Sequence, residues 1–251
     1  MNQTNSLWKQ QLHAVSKGYD FISKPRGMEV KEKIAGQYKV PMPAYLSLKS
    51  RKVNTKFMFA EAAWIISGSN RLEDIEPYMK KYADFSDDGV FLRGAYGPKV
   101  VDQLSYVVDT IVKDNDTRQA VINIWRERPG ASKDIPCTLS MQFLLRDGKL
   151  NMVTTMRSND IVLGFTYDVF TFSMIAKSVQ LLLSQRRIKC ELGDLYVNAG
   201  SLHLYETHYA QIETWFDDRE VDKDIENKVK IYTEVKTYEE LISSLQRGAQ
   251  V

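Results

Sequence analysis

The sequence of 251 residues is poor in several features that would place it in a specialised class of protein. It has only two cysteines, Cys137 and Cys190, which are too few for the disulfide framework of a small secreted domain. No stretch contains the ~18 consecutive apolar residues of a membrane helix. The first residues also lack the basic segment and apolar run of a signal peptide. We therefore expect a cytoplasmic protein with both thiols free.

The chain also lacks the signatures of several kinds of binding site. Its formal net charge of +2 gives no general reason to expect a nucleic-acid surface. Its three histidines have no metal-ligand spacing, and there is no glycine-rich phosphate loop and no G-x-S-x-G elbow. We therefore expect no nucleic-acid partner, no membrane and no metal, and any anion must be bound by arginines.

The apolar pattern indicates a single α+β domain spanning residues 1–251, since no repeat, low-complexity tract or linker interrupts it. "NTKFMFAEAAWIISGS" is apolar on nearly every face and predicts a buried helix, with Asn54 or Thr55 as its N-cap. "YDVFTFSMIAKSVQLLLSQ" predicts a second long apolar helix. "LSMQFLLRDGKLNMVTTMRS" predicts two strands joined by a tight turn at Asp147–Gly148. Helices therefore flank a mostly antiparallel sheet.

One cysteine lies at an unusual position, directly after a proline and at the start of a predicted strand in "DIPCTLSMQF". A lone cysteine is more often a buried apolar residue than a nucleophile. A nucleophilic thiol needs a nearby cation to favour its thiolate, and Arg118, Arg126 and Arg157 are candidates. The residues around Cys137 leave both interpretations open.

Glu61 lies inside the apolar helix pattern "FMFAEAAWII". Burial of an ionised carboxylate is costly, so Glu61 must have a partner or a raised pKa. A raised pKa suits a general acid or base near neutral pH, whereas a structural glutamate bonded to backbone or water is equally compatible.

Further polar residues cluster in "TTMRSNDIVLGFTYDVF" and "GSLHLY". Asp160 and Asp168 are compatible with loop or helix-cap roles, and Arg157 with an exposed salt bridge. His203 and Tyr205 lie on one face of an extended segment. Such a pair is more often structural, although two polar tips on one face can also bind a sugar hydroxyl.

Taken together, these stretches resemble the thymidylate synthase superfamily. "PC" opens a strand that ends in "QF", and "RS-D---G" and "G--HLY" follow in family order and near family spacing. The resemblance covers most of the chain and implies a thymidylate synthase-like fold. "MRSNDIVLGF" and "NAGSLHLY" look most similar to the phage-type deoxycytidylate hydroxymethylases.

The resemblance implies a role for each matched residue. It implies that Cys137 attacks C6 of a pyrimidine nucleotide and that Glu61 organises water and proton transfer. It also implies a homodimer in which Arg118 reaches the nucleotide phosphate of the other subunit. The remaining nucleotide-binding residues would be Arg26, Arg157 and Ser158 at the phosphate, and His203 and Tyr205 at the sugar 3′-hydroxyl. Methylenetetrahydrofolate would be the cosubstrate, facing Asp160, Leu163, Gly164, Tyr167 and Tyr96.

Several positions depart from the synthase pattern. Asp168 replaces the asparagine that donates to O4 of uracil and accepts from its N3–H. An ionised carboxylate only accepts, so it suits the amino group of cytosine. Thr138 stands where a histidine is usual, and Gln119 replaces the second arginine of a pair. We therefore expect a dCMP 5-hydroxymethylase, in which water adds to an exocyclic methylene on the base.

Three alternatives remain open at the level of the sequence. The altered arginine pair is compatible with CMP as the substrate, whereas the retained Ser158 favours the deoxy sugar. A thymidylate synthase acting on dUMP through an unusual base pocket is the second alternative. A nucleotide-binding relative without catalysis is the third, although the joint retention of the matched residues argues against it.

Overall fold

A computed structural model of the chain describes residues 2–128 and 130–250. The helices are α1 (Gln3–Lys17), α2 (Thr55–Ile66), α3 (Gly97–Lys113), α4 (Leu163–Gln185), α5 (Ile212–Asp217), α6 (Lys223–Glu234) and α7 (Tyr238–Gln250). The strands are β1 (Phe21–Ser23), β2 (Val30–Pro41), β3 (Val121–Asn123), β4 (Thr138–Arg146), β5 (Lys149–Asp160) and β6 (Glu191–Tyr205). Short 3-10 turns cover Pro25–Gly27, Lys49–Arg51, Leu72–Asp74, Lys80–Phe85 and Glu206–Gln211.

The strands form one mixed sheet in the order β1-β2-β6-β5-β4-β3. Every pair is antiparallel except β5 and β6, which are parallel and are connected through α4. The β4–β5 hairpin turns at Asp147 and Gly148, both of which have positive φ, as a type I′ turn requires. The predicted α+β class, mostly antiparallel sheet and Asp-Gly hairpin are confirmed.

The two apolar helices predicted from the sequence lie in the core. Nine residues of α2 are buried, and Asn54 caps its first turn by accepting a hydrogen bond from the backbone N–H of Phe57 at 3.1 Å. Helix α4 begins at Leu163, earlier than its apolar pattern indicates. Its N-terminal N–H groups are bound by Asp160, so the interpretation of Asp168 as the cap is wrong and Asp168 lies within the helix.

The two faces of the sheet differ in burial. One face packs against the helices through rows such as Met141, Thr154, Val197 and Tyr38. The opposite face carries the neighbouring row Gln142, Val153, Tyr196 and Lys39, which is partly or fully exposed. We call this second face, including Leu144, Thr155, Asn198 and Gln37, the open face.

Candidate active site

Cys137 lies at the start of β4, where the chain is anchored to the end of β5. The backbone N–H of Arg157 donates to the Cys137 carbonyl oxygen at 2.8 Å, and Ser158 Oγ donates to Cys137 Sγ at 3.7 Å. The thiol is partly buried and packs against the core. It lies at the beginning of an interior strand, after a proline that has no N–H for the strand ladder.

The surroundings of Cys137 shift the pKa of its thiol in opposite directions. Burial raises the pKa of the Cys137 thiol, and the carboxyl group of Asp168 also raises it. The Arg157 and Arg26 guanidinium groups and the Ser158 hydroxyl lower the same pKa. The cations that a thiolate needs are therefore Arg157 and Arg26, but burial has the larger effect in the chain without substrate.

Arg157 supports the segment before the cysteine. Its Nε donates to the Pro136 carbonyl at 2.9 Å, and its Nη2 donates to the Ile135 carbonyl at 2.9 Å. The exposed salt bridge considered from the sequence is absent from the described ion pairs, because backbone carbonyls occupy the guanidinium instead. Its Nη1 donates to Ser158 Oγ at 3.3 Å, so both predicted phosphate ligands adjoin the thiol.

Arg26 and Arg118 are placed differently. Arg26 is exposed, has a left-handed backbone with φ of 54°, and acts on the pKa of both Cys137 and Tyr205. The Arg118 carbonyl accepts from Gln142, five residues along the chain from Cys137, which is roughly 16 Å in an extended strand. The fold therefore brings Arg26 to the thiol and leaves Arg118 away from the site of its own chain.

Glu61 lies on α2 and acts on the pKa of Asp168, which in turn acts on that of Cys137. We call the region between these three residues the cleft. Tyr82 donates to its Oε1 at 2.6 Å, and Thr171 donates to its Oε2 at 3.4 Å. Burial raises the pKa of Glu61 to about 7, while these two hydrogen bonds act to lower it. Both consequences expected of a glutamate in an apolar helix, a partner and a raised pKa, are therefore present.

Asp168 lies one and a half turns into α4, on the side that faces the cleft. Burial raises its pKa well above the usual range, and the carboxyl groups of Glu61 and Asp160 raise it further. Asn159 acts in the opposite direction by donating to Asp168 Oδ2 at 2.8 Å. A carboxyl group in these surroundings takes up a proton more readily than an exposed aspartate does.

His203 and Tyr205 lie next to each other at the end of β6. Their ring centroids are 5.1 Å apart, with the rings nearly perpendicular. Burial lowers the pKa of His203, although Asp160 opposes this effect, so the imidazole is neutral at pH 7. A neutral imidazole has one donor and one acceptor nitrogen, which is the combination that a sugar hydroxyl needs.

The residues expected to face folate surround the N-terminus of α4. Leu163 is 47% exposed, which is unusual for a leucine that begins a buried helix. Tyr167 packs edge-on against Phe57 with centroids 4.7 Å apart, and its hydroxyl accepts from the backbone N–H of Asn54 at 3.3 Å. Tyr96 lies on the other side of the cleft, where its hydroxyl accepts from the Thr138 N–H at 3.2 Å.

Sequence reasoning missed four residues of this cleft. Tyr82 binds Glu61, and Asn159 with Tyr38 forms a chain to Asp168. Arg51 lies between Trp8 and Trp215 and donates to the Val162 carbonyl. Asn159 stands within "RSND", and its position between two matched residues was the only available signal. The other three are brought in by tertiary packing.

No helix in the described part of the chain is long and apolar enough to cross a membrane. No group of three or more His, Cys, Asp or Glu among the described residues is arranged to hold a metal ion.

Known proteins resemble this chain in sequence. The chain is 33% identical over 230 residues to a deoxyuridylate hydroxymethyltransferase of Bacillus phage SP01, an alignment that covers 83% of this chain and 58% of that protein. It is 30% identical over 189 residues to the protein of the same name from Delftia phage PhiW-14, covering 68% of this chain and 52% of the relative. The chain thus spans little more than half the length of these phage relatives.

A solved structure has the same fold. Thermostable thymidylate synthase A from Bacillus subtilis superposes with a TM-score of 0.71 and 20% identity, covering 87% of this chain and 85% of that one. The thymidylate synthase of Vesicomyosocius okutanii is 24% identical over 176 residues, which is 65% of each chain. The sequence pattern of the family named thymidylate synthase matches residues 13–242. The chain therefore belongs to the thymidylate synthase family.

Proposed function

We propose that residues 1–251 form one catalytic domain that transfers a hydroxymethyl group from methylenetetrahydrofolate and water to C5 of a pyrimidine nucleotide, with dCMP as the substrate. The observation that carries this proposal is the convergence of Cys137, Glu61 and Asp168 on one cleft, with two arginines beside the thiol. The phage relatives at 33% and 30% identity are named for hydroxymethyl transfer, which supports the same reaction class.

The first step is covalent. Cys137 Sγ, as the thiolate, forms a bond to C6 of the pyrimidine, and the electrons of the C5–C6 double bond make C5 nucleophilic. Arg157 and Arg26 favour the thiolate, and Ser158 donates a hydrogen bond to it. The same arginines bind the nucleotide phosphate, so substrate binding and thiolate stabilisation use one set of charges.

The cleft has features that fit a folate cosubstrate. Arg51 Nε is buried without a hydrogen-bond partner among the described residues, next to the exposed side chain of Leu163 at the start of α4. A buried cation beside an apolar surface suits a ligand that has both aromatic rings and carboxylates. When bound, methylenetetrahydrofolate supplies a one-carbon unit for C5.

Glu61 then acts as the general base and orders a water molecule. Its ionised form accepts the proton that leaves C5, and it orders the water whose oxygen bonds to the exocyclic carbon. Loss of the Cys137–C6 bond restores the aromatic base. In the balance, C5 loses its proton and bonds to the one-carbon unit, and one water supplies the hydroxyl of the C–CH2OH product. Tetrahydrofolate leaves unoxidised and carries the C5 proton and the remaining water proton.

In this proposal Asp168 selects the pyrimidine base. In its ionised form the carboxylate has only acceptors, so it pairs with the cytosine amino group, and with N3 only when that nitrogen is protonated. We therefore take dCMP as the first substrate. CMP remains the alternative sugar, because Gln119 removes one cation that the family usually has at the phosphate.

dUMP is the second candidate, and two observations favour it. Burial raises the pKa of Asp168 well above the usual range, so the carboxyl group can keep a proton and act as both donor and acceptor, as asparagine does. The matching phage relatives are also named for deoxyuridylate. A thymidylate synthase acting on dUMP would require reduction of the same intermediate.

A homodimer completes this proposal. Arg118 is exposed and remote from the thiol of its own chain. The open face spans strands β2, β6, β5 and β4 and includes Tyr196 at 38% exposure. A second copy packed on this face would be related by twofold symmetry, and each Arg118 would reach the other chain's phosphate site.

The test is an incubation of the purified protein with methylenetetrahydrofolate and each of dCMP, CMP and dUMP, followed by mass spectrometry of the nucleotides. A gain of CH2O on dCMP supports the first proposal, and the same gain on CMP or dUMP identifies the base and sugar instead. A gain of CH2 on dUMP, with dihydrofolate formed, would mean a synthase and would overturn hydroxymethyl transfer.

A further inference from the structure

A chain of hydrogen bonds runs from the sheet to the base-selecting carboxyl group. The Tyr38 hydroxyl on β2 donates to Asn159 Oδ1 at 3.1 Å, and Asn159 Nδ2 donates to Asp168 Oδ2 at 2.8 Å. Tyr38 and Asn159 are 6% and 2% exposed, so water does not compete for these bonds. The reaction proposed above uses neither Tyr38 nor Asn159, yet both are connected directly to Asp168.

Tyr38 fixes the direction of the chain. A side-chain amide has one acceptor oxygen and one donor nitrogen, and turning it by half a rotation exchanges them. Burial raises the pKa of Tyr38 well above its ordinary value, so the phenol keeps its proton and remains a donor. The Asn159 oxygen is therefore held towards Tyr38, and the NH2 group is held towards Asp168.

Gly164 leaves room for the bridge. A β-carbon on Gly164 would lie 3.1 Å from Asn159 Nδ2 and 3.4 Å from Asp168 Oδ2. The first of these distances is tighter than ordinary van der Waals contact, so a larger residue would press on the donor atom. A side chain at residue 164 would therefore require Asn159 Nδ2 to move by a few tenths of an ångström.

The bridge has a chemical consequence for the carboxyl group. Because Oδ2 accepts from Asn159, a proton on Asp168 is favoured on Oδ1. The carboxyl group then has a fixed donor at Oδ1 and a fixed acceptor at Oδ2. Cytosine presents an acceptor at N3 and a donor at N4, whereas uracil presents a donor at N3 and an acceptor at O4. A fixed donor–acceptor pair matches only one of these orders, while a carboxyl group free to carry its proton on either oxygen matches both.

We propose that Asn159, oriented by Tyr38, is a specificity-determining positioning residue that confines the proton of Asp168 to one oxygen and thereby makes the carboxyl group select between cytosine and uracil. This inference rests on the proposed role of Asp168 in base recognition. It applies to Asp168 in its protonated form, whichever of the two bases the wild-type protein prefers.

The surroundings of Asp168 give the selection a pH dependence. The groups that face it are Glu61 from α2, Asp160 from the end of β5 and Cys137 before β4. Phenols also face it: Tyr38 from β2, Tyr96 before α3 and Tyr82 from the 3-10 turn Lys80–Phe85. Burial and the two carboxylates raise the pKa of Asp168, and the Asn159 bond lowers it. Loss of Asn159 therefore also shifts the pH dependence of base preference upwards.

The test compares kcat/KM for dCMP with kcat/KM for dUMP in the wild type and in Asn159→Leu, which keeps the volume and removes the donor. We expect the ratio of the two values to move towards one by about tenfold, through gain of the disfavoured base. Tyr38→Phe frees the amide to turn and should shift the ratio in the same direction by a smaller factor. Asn151→Leu, on the same strand but bonded to the Asp194 N–H, is the matched control and should leave the ratio unchanged.

Asp168→Asn separates this inference from the proposed function. If Asp168→Asn changes the ratio while Asn159→Leu and Tyr38→Phe both leave it within about twofold, the positioning role of Asn159 is wrong and base recognition by Asp168 stands. If Asp168→Asn itself leaves the ratio unchanged, base recognition by Asp168 is wrong. If Asn159→Leu fails to fold, the positioning role of Asn159 is tested by Tyr38→Phe alone. The measurement is then its ratio of kcat/KM for dCMP to kcat/KM for dUMP as a function of pH.

Discussion

At the scale of single residues, the two cysteines lie in different surroundings. Cys137 has Ser158 at 3.7 Å and two guanidinium groups acting on it, whereas Cys190 lies near Lys177 at the opposite end of β5 and β6. Burial raises the pKa of both thiols, so burial alone does not distinguish them. The arginines beside Cys137 do.

We expect Cys137→Ser to lose at least about a thousandfold in turnover, because a serine hydroxyl has no thiolate equivalent near neutral pH. The measurement is release of tetrahydrofolate with the preferred nucleotide. Cys190→Ser is the matched control and should retain wild-type turnover. Undiminished activity of Cys137→Ser, with nucleotide binding intact, would remove the proposed nucleophile.

The raised pKa of Glu61 has a consequence for the stability of the fold. The folded chain holds this carboxyl group with a pKa of about 7, above its ordinary value of 4.5. Between these two pH values the folded chain keeps a proton that the unfolded chain has released. Stability therefore falls as pH rises through this window, and the loss is complete above it.

Glu61→Gln carries no charge at any pH, so its free energy of unfolding should fall less than that of the wild type as pH rises. The difference is expected to reach up to about 3 kcal/mol. Urea unfolding of both proteins at about pH 5 and about pH 8 gives the comparison. Asp168 contributes a fall of the same sign in both proteins. If the free energy of unfolding falls equally with pH in the wild type and in Glu61→Gln, the raised pKa of Glu61 is contradicted.

At the scale of elements, α2 holds Glu61 in place. Its first turn is capped by Asn54, whose side chain accepts from the Phe57 N–H at 3.1 Å, and its buried residues pack against α4 and α7. A helix with almost no polar face cannot turn in its site without exposing apolar area. The carboxyl group of Glu61 is therefore directed at the cleft by the packing of the whole helix.

Asn54→Ala should lower the free energy of unfolding by about 1 kcal/mol, because it leaves an N-terminal N–H group of α2 without its acceptor. Urea denaturation followed by circular dichroism measures the change. Thr55→Ala, one residue further on, is the matched control and should cost distinctly less. An equal loss in the two variants would place the cap at a different residue.

Helix α4 shows where element-level reasoning from sequence fails. The apolar pattern located the body of the helix, but its start depends on Asp160, whose carboxylate accepts from the N–H groups of Val162 and Leu163. Those bonds form only because β5 ends at the point where the chain turns into the helix. As a result, Asp168 lies inside the helix and faces the cleft.

At the scale of the whole molecule, the open face and the position of Arg118 belong together. The face is a row of paired residues across four strands, and it carries the exposed ring of Tyr196. A dimer through this face would give each site an arginine from the partner. The two sites would then depend on each other for substrate binding and not for chemistry.

A mixing experiment tests this arrangement. Arg118→Ala and Cys137→Ser should each be weakly active or inactive alone, whereas a refolded mixture should recover up to about a quarter of wild-type turnover, because half of the dimers then contain one complete site. A mixture of Cys137→Ser with Cys190→Ser sets the baseline for the exchange of subunits between dimers. A mixture no more active than its parents would mean that Arg118 does not act across an interface.

The sequence by itself determined the local features of this protein. The Asp147–Gly148 turn, the Asn54 cap and the two apolar helices follow from backbone sterics and hydrophobic periodicity, which act over a few residues. The family motifs also singled out Cys137, Glu61 and His203, since each motif lies within a short stretch of chain.

Only the tertiary structure decided which groups act on one another. Tyr82 on Glu61, Tyr38 on Asn159 and Arg51 beside the start of α4 join residues that are far apart in sequence. The pKa of a buried carboxyl group depends on desolvation and on charges a few ångströms away, and neither is a property of the residue type. The nature of Asp168 as acceptor or donor is therefore set by the fold.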